Sequence, residues 1–275
     1  MRKIIFKVQN NYILIKKRRG LTKYDLLKNH RNRFSSLLRK GFLIDFKYRI
    51  VFNGSIERKQ IIAINQIVNL NPVKIVYDIN FDRESIIKDI MKSSNFAFLD
   101  FEMSMPPYNY KGNHFHEIIQ YGITLKTNKK TTYYSGFLKK KNNIDLSDRT
   151  VEFLKINKDV YSRESINFKK LLKIMMKINK KPNLRWVVWG RSDIRVFQSA
   201  LKLHNIKMKK KFIFLDLLQS HKIFFNLYND LGLFKAYEFY SSQKLDQKHN
   251  ALEDSKITSI VMEKFKNYFN FIDLN

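Results

Sequence analysis

Two carboxylates one residue apart close a strongly apolar run, where Phe96-Ala97-Phe98-Leu99 leads directly into Asp100-Phe101-Glu102. Side chains of a strand alternate between its faces, so Asp100 and Glu102 point one way and Phe101 the other. Neighbouring acids at the end of a buried strand repel each other and lose hydration, a state that a divalent cation relieves. Solvated acids at a frayed strand end are the alternative, and the apolar run before them argues against it. Far along the chain, His249-Asn250-Ala251-Leu252-Glu253-Asp254 opens a helical run whose apolar positions include Ile257, Ile260, Val261 and Phe265. Asp254 falls one turn past Ala251, a residue small enough to let the helix approach other backbone, and His249 stands at the helix entrance. Between these blocks, Gly190-Arg191-Ser192-Asp193 follows a short buried strand over 185–189 and starts a helix. An aspartate there is most often an N-cap. Gly190 permits a tight turn, however, and the C-terminal end of a strand is well placed for a site across a sheet. Asp216 repeats the strand-then-acid arrangement and reads as a cap first.

These acids need elements to carry them. The run 96–99 has the continuous apolarity of a central strand covered on both faces. Segments 118–125 and 131–138, joined by Asn128-Lys129-Lys130, continue it as an antiparallel meander. A long basic connection follows, then a helix over 168–178 with Phe168, Leu171, Leu172, Met175 and Met176 on one face. Upstream of Asn95 the character differs. Thr22-Lys23-Tyr24-Asp25 has the form of a capping box, and a run to Lys40 ending at Gly41 predicts a basic helix with Leu26, His30, Leu37 and Leu38 on its apolar side. Strands are expected over 42–52, 61–68 and 73–79, with a turn at Asn53-Gly54 and a helix from Asp82. Residues 1–93 are therefore expected to form a small basic α+β domain, and 94–275 a second domain.

The chain has 275 residues, of which 44% are hydrophobic and 14% aromatic, ample for a buried core. There is no cysteine, which excludes disulfides and thiolate zinc sites. No apolar run approaches the roughly 18 residues of a membrane span, and neither a membrane nor a secretory signal is expected; the expected location is cytoplasmic. The 53 Lys and Arg face 24 Asp and Glu, for a net charge of +29. An A/T-rich coding bias would enrich Lys but also Glu, so the imbalance implies a polyanionic partner, nucleic acid before an anionic membrane. Residues 1–50 hold 15 of the cations and only Asp25 and Asp45 as acids, which makes 1–93 a candidate nucleic-acid-binding domain.

The blocks around Asp100-Phe101-Glu102-Met103-Ser104-Met105-Pro106, Glu117-Ile118-Ile119-Gln120-Tyr121-Gly122, Trp189-Gly190-Arg191-Ser192-Asp193 and His249 to Asp254 together resemble the DEDDh group of 3′–5′ exonucleases. Within that group they are similar to the sporulation-inhibitor KapD branch and to the enhanced-RNAi and histone-mRNA 3′ exonucleases. The resemblance covers about residues 95–270; Arg191 departs from the usual small or polar residue, and Ser104 replaces the commoner Thr while keeping its hydroxyl. It implies a ribonuclease H-like fold, a mixed five-stranded sheet flanked by helices. It further implies release of nucleoside monophosphates from RNA ends by a two-metal-ion mechanism. Asp100, Glu102, Asp193 and Asp254 would hold two Mg²⁺, for which Mn²⁺ can substitute. His249 would be the general base, and Met103 and Ser104 would line the terminal-nucleotide pocket. The alternatives are a DNA 3′–5′ exonuclease of repair or mobile-element replication, and a non-catalytic nucleic-acid-binding protein on the same scaffold. RNA is the favoured partner and DNA the second.

Overall fold

The computed structural model describes residues 1–18, 20–141, 145–208 and 210–271. The described chain divides into two compact units, one of Met1–Lys88 with His221–Asp230, the other of Asp89–Ser220 with 231–271.

The first unit is built on six strands and two helices: β1 (Arg2–Gln9), β2 (Tyr12–Lys17), β3 (Gly20–Leu26), α1 (Lys28–Phe34), β4 (Leu43–Asn53), β5 (Ile56–Leu70), β6 (Val73–Asp78) and α2 (Ile79–Met91), whose last turn enters the second unit. The strand order β3-β2-β1-β4-β5-β6 carries an additional parallel pairing of β3 with β5, at Asp25↔Gln60 and Leu26↔Ile61. That pairing closes β1 to β5 into a barrel, with β6 appended to β5. The circuit 1-2-3-5-4-1, with a helix between β3 and β4, is the connectivity of the OB barrel. Its interior holds Ile5, Ile13, Ile15, Ile44, Ile61 and Ile67, with Tyr24 edge-on to Phe46 at 5.1 Å between ring centres. Phe34 of α1 and Leu38 beyond it join the same core.

The basic helix expected over 22–40 is corrected by this arrangement. Thr22 and Tyr24 are strand residues facing Ile15 and Ile13, and only Lys28–Phe34 is α-helical. Burial of Tyr24 and Leu26 inside a closed barrel outweighs a local capping signature. The expected strands at 42–52, 61–68 and 73–79, the Asn53-Gly54 turn and the following helix are present.

The second unit continues with β7 (Asn95–Met103), β8 (Ile118–Lys126), β9 (Thr131–Phe137), α3 (Asp148–Leu154), α4 (Lys158–Glu164), α5 (Phe168–Ile178), β10 (Leu184–Val188), α6 (Ser192–Leu203), β11 (Phe214–Asp216), α7 (Leu217–Phe224, its end in the first unit), α8 (Leu233–Ser241) and α9 (Ala251–Lys266). Its sheet is five-stranded and mixed, in the order β11-β10-β7-β8-β9. Strand β7 is central, parallel to β10 and antiparallel to β8. Ala97, Leu99 and Phe101 face α5 and α6 in a core containing Leu171, Met175, Trp186 and Phe197. The opposite face of β7 and β8 is covered by α9. The long basic connection contains α3 and α4, begun by Ser147 and Asn157, whose side chains accept backbone N–H bonds; its residues 142–144 lie outside the described residues. No helix among the described residues is long and apolar enough to cross a membrane.

Candidate active site

Asp100 and Glu102 stand on the α9 face of β7, opposite Gly122 and Gln120 of β8. Their distance from Asp254 depends on how closely α9 approaches β8. A Cβ built on Gly122 would lie 2.1–2.2 Å from the Ala251 and Leu252 backbone, so only glycine fits there. The Gln120 side chain accepts a hydrogen bond from the Ala251 N–H at 3.0 Å, and the Thr124 and Ser255 hydroxyls meet at 2.8 Å. These contacts dock the first turn of α9 on the strand. Asn250 caps that turn by accepting from Leu252 N–H and Glu253 N–H at 3.1 and 3.2 Å. The result is a cluster in which one carboxylate oxygen each of Asp100, Glu102 and Asp254 lies within 4.8 Å of the others.

Asp193 arrives from the other side of the sheet end. Gly190 takes a left-handed φ of +99°, which turns the chain from β10 into α6. The N-cap position is held by Arg191, so Asp193 is not the cap. Its carboxylate instead accepts from the Phe101 N–H at 3.0 Å and from the Ser192 hydroxyl at 3.2 Å. The second block is thereby pinned between the two acids of the first. Arg191 pairs with Asp216 at 3.4 Å, and Asp216 caps α7 by accepting from Gln219 N–H at 3.0 Å.

Electrostatics in the cluster are those of uncompensated negative charge. Loss of water pushes Asp100 well above the usual carboxylate range, with Asp193, Asp254 and Glu102 adding repulsion. Burial, then Asp254 and Asp193, raises Glu102 to about 7. Burial raises Asp193 to about 6 against the opposing pull of the Phe101 N–H and Ser192 hydroxyl. Asp254 rises to about 6 through burial, then Glu253 and Asp193. Among the described residues, no cationic side chain figures among the groups acting on these four acids. Clustered oxygen donors with nothing to balance them fit a hard divalent cation such as Mg²⁺ or Mn²⁺.

The remaining candidates are less tightly gathered. His249 has a left-handed φ of +47° and lies outside the three-carboxylate cluster; its ring packs on Phe153 of α3 at 4.1 Å, tilted by 37°. Burial lowers its pKa. Met103 ends β7 beside a bulge. Ser104 is buried, its hydroxyl accepting from Glu117 N–H at 3.0 Å and lying 3.2 Å from His114 Nε2. His116 Nδ1–H donates to the Ser104 carbonyl at 2.8 Å.

Phe153, His114, His116 and the docking role of Gln120 escaped the reading of the sequence. Only Gln120 carried a signal, since it lies in the quoted block that ends at Gly122.

No protein-family model matches the chain, and no curated protein matches it by sequence. Solved structures do. The chain is similar to a 3′-exonuclease solved in a study of 3′-end recognition of the histone mRNA stem-loop, with a TM-score of 0.53, 20% identity, and 65% of this chain and 83% of that one covered. The nuclease domain of 3′hExo, a DEDDh family member bound to rAMP, matches with a TM-score of 0.53 and 20% identity over 65% of this chain and 93% of that one. Cell-death related nuclease 4 matches with a TM-score of 0.52 and 18% identity over 66% of this chain and 65% of that one. About two thirds of the chain therefore shares the fold of DEDDh-family 3′-exonucleases.

Proposed function

We propose that the protein is a metal-dependent 3′–5′ exonuclease of the ribonuclease H-like DEDDh type, akin to the KapD and enhanced-RNAi branches, that releases nucleoside monophosphates from single-stranded or structured RNA ends in the cytoplasm. The convergence of Asp100, Glu102 and Asp254 carries this reading. In it, residues 94–275 form the nuclease domain and residues 1–93 an accessory domain that holds nucleic acid, consistent with the net charge of +29.

Asp100, Glu102 and Asp254 would hold one cation, and Asp193, beside the Phe101 N–H, would support a second. Two bound divalent ions would neutralise the acids, bind phosphate oxygens and make water more acidic. His249 accepts the proton of the attacking water. Burial lowers its pKa, which keeps the imidazole neutral and able to act as a base near pH 7. Met103 and Ser104 border the terminal nucleotide; the bonds from Glu117 N–H and to His114 fix the Ser104 hydroxyl.

RNA is favoured over DNA because one structural neighbour was solved in a study of histone mRNA stem-loop recognition and another was solved bound to rAMP. The test is end-labelled RNA and DNA incubated with Mg²⁺ or Mn²⁺. Mononucleotide release that is abolished in Asp100→Ala is expected, and release that favours DNA would move the assignment to a DNA exonuclease. No release from either substrate, with nucleic acid still bound, would leave a binding protein on a nuclease scaffold.

A further inference from the structure

We infer that the outer face of α5 is a track for the body of a single strand whose 3′ end lies at the catalytic acids, an inference that rests on the exonuclease reading and adds a path for the strand. Helix α5 carries four lysines and no acid, whereas α3, α4, α6, α8 and α9 each carry both signs of charge. A coding bias toward lysine would not segregate the charge in this way. Lys169, Lys173 and Lys177 are exposed and four residues apart, so they stand in one row about 12 Å long. Like charges at that spacing repel across each turn, and an anion laid along the row relieves the repulsion.

The row borders a groove of about 710 Å³ whose apolar lining is Leu172, Met176 and Ile206. Lys180, just past the helix, lines this groove and also a second one of about 450 Å³, together with Lys92, Lys181, Lys210 and Lys211. Among the described residues no carboxylate lines either groove; Arg185, at the second, is paired with Asp89. Buried Asn179 keeps the lysines of two loops adjacent. Its side chain accepts from Trp186 Nε1–H at 3.0 Å and donates to the Lys211 carbonyl at 3.3 Å.

The track has a direction relative to the acids. At its start, Phe168 packs on Phe197 at 6.2 Å and Phe197 on Phe101 at 6.4 Å, and Phe101 lies between Asp100 and Glu102. At its far end, Asn95, the first residue of β7, donates to the Pro182 carbonyl at 2.8 Å. Helix α5 therefore runs from beneath the catalytic end of β7 back to its beginning. The acids face α9 and α5 covers the other face, so a strand held at the acids crosses the end of the sheet to reach the row. A continuous path that begins at the catalytic end suits the polymer being cleaved better than an acidic protein segment. Lysines meet its phosphates, and unpaired bases lie on Leu172, Met176 and Ile206. A duplex hides its bases and leaves that apolar floor unused.

The test uses the full chain carrying Asp100→Asn in EDTA, with fluorescein-labelled U20 and U5 titrated by anisotropy, so that binding is read without hydrolysis. Lys169→Gln, Lys173→Gln and Lys177→Gln together are expected to weaken U20 binding about tenfold or more and to reduce the slope of log K against log salt by about 0.7 per lost contact. U5, too short to leave the catalytic end, is expected to change by less than about twofold. Lys235→Gln, Lys244→Gln and Lys264→Gln remove the same charge from other exposed positions and are expected to keep the slope close to parental. Met176→Gln leaves the lysines and is expected to weaken U20 about threefold at an unchanged slope. An equal loss in the two lysine triples, or parental U20 affinity in the first, overturns the track, and parental affinity in Met176→Gln overturns the choice of a single strand. Photocrosslinking of U20 with 4-thiouridine at single positions, followed by peptide mapping, needs no lysine variant. Internal positions are expected to mark residues 168–181 and the 3′-terminal position is not. Crosslinks of bound U20 that avoid 168–181 overturn the track alone. Internal crosslinks at 168–181, with no mononucleotide released by the parental chain in Mg²⁺ or Mn²⁺, support the track and overturn the exonuclease reading beneath it.

Discussion

Each of the four candidate acids, Asp100, Glu102, Asp193 and Asp254, carries a raised pKa, and the sign of that shift fixes how the metal-free protein responds to pH. A carboxyl whose folded pKa exceeds its unfolded value contributes stability below the unfolded pKa, near 4, and loses it as pH rises through the folded value. Asp254, raised to about 6, and Glu102, raised to about 7, therefore cost the metal-free fold stability between about pH 4 and 7. Asp254→Asn removes one of these charges without changing its shape. In EDTA at pH 7.5 the variant is expected to melt several degrees above the parent, on the order of 1–3 kcal/mol, and the gap should shrink at pH 5. A gap independent of pH in scanning calorimetry would show that Asp254 does not carry the strain. The same protons compete with the cation, so calorimetric titration with Mn²⁺ should give weaker binding at pH 5.5 than at 7.5, and none that is discrete in Asp100→Asn. The acids were legible in the sequence because their chemistry is local: an apolar strand ending in Asp100-Phe101-Glu102 and a small residue one turn before Asp254 say where the charges must go. Phe153 was not legible. It precedes His249 by almost a hundred residues, and nothing near it marks a ring that will meet an imidazole.

At the scale of elements, two contacts set the geometry that the acids share. The first is the docking of α9 on β8, where Gly122 meets the Ala251 backbone. Gly122→Ala forces the helix outward and moves Asp254 away from Asp100. The expected result is about 1–3 kcal/mol of destabilisation and a loss of activity of about a hundredfold or more, read by thermal melting and by mononucleotide release. The second is α3, which supports two candidate regions at once. Its capping Ser147 donates to the Met105 carbonyl at 2.8 Å, and Thr150 accepts from Met105 N–H at 2.9 Å, which holds the segment just after Ser104. One turn on, Phe153 meets His249. Phe153→Ala should lower kcat by about tenfold while shifting KM little, and Phe153→Tyr should restore it, because the ring positions the imidazole and does not touch the substrate. An equal fall in both variants, or an effect on KM alone, counts against that role. β7 was readable from its continuous apolar run and β8 and β9 from the turn residues that join them, whereas α3 sits in a basic stretch whose helical periodicity is only two turns long.

The whole molecule joins a unit readable from local pattern to one whose closure was not. The barrel closes through two residue pairs, Asp25↔Gln60 and Leu26↔Ile61, between strands thirty-five residues apart. No window of sequence contains that information, and the capping-box form of Thr22 to Asp25 pointed to a helix instead. What composition did convey was charge, 15 Lys and Arg against two acids in the first 50 residues. If that charge serves to hold a strand while its end is cleaved, its effect belongs to long substrates. A protein making several phosphate contacts loses affinity steeply with salt, by a slope of about −0.7 per contact on single strands. Between 50 and 200 mM KCl, kcat/KM on a 20-mer RNA should fall by about tenfold or more. A trinucleotide makes few phosphate contacts, so its kcat/KM should change only slightly. Lys16→Gln, Lys17→Gln and Arg18→Gln together should flatten the slope on the 20-mer. Parallel salt curves for the two substrates would mean that the charge of the first unit serves something other than holding the strand being cleaved.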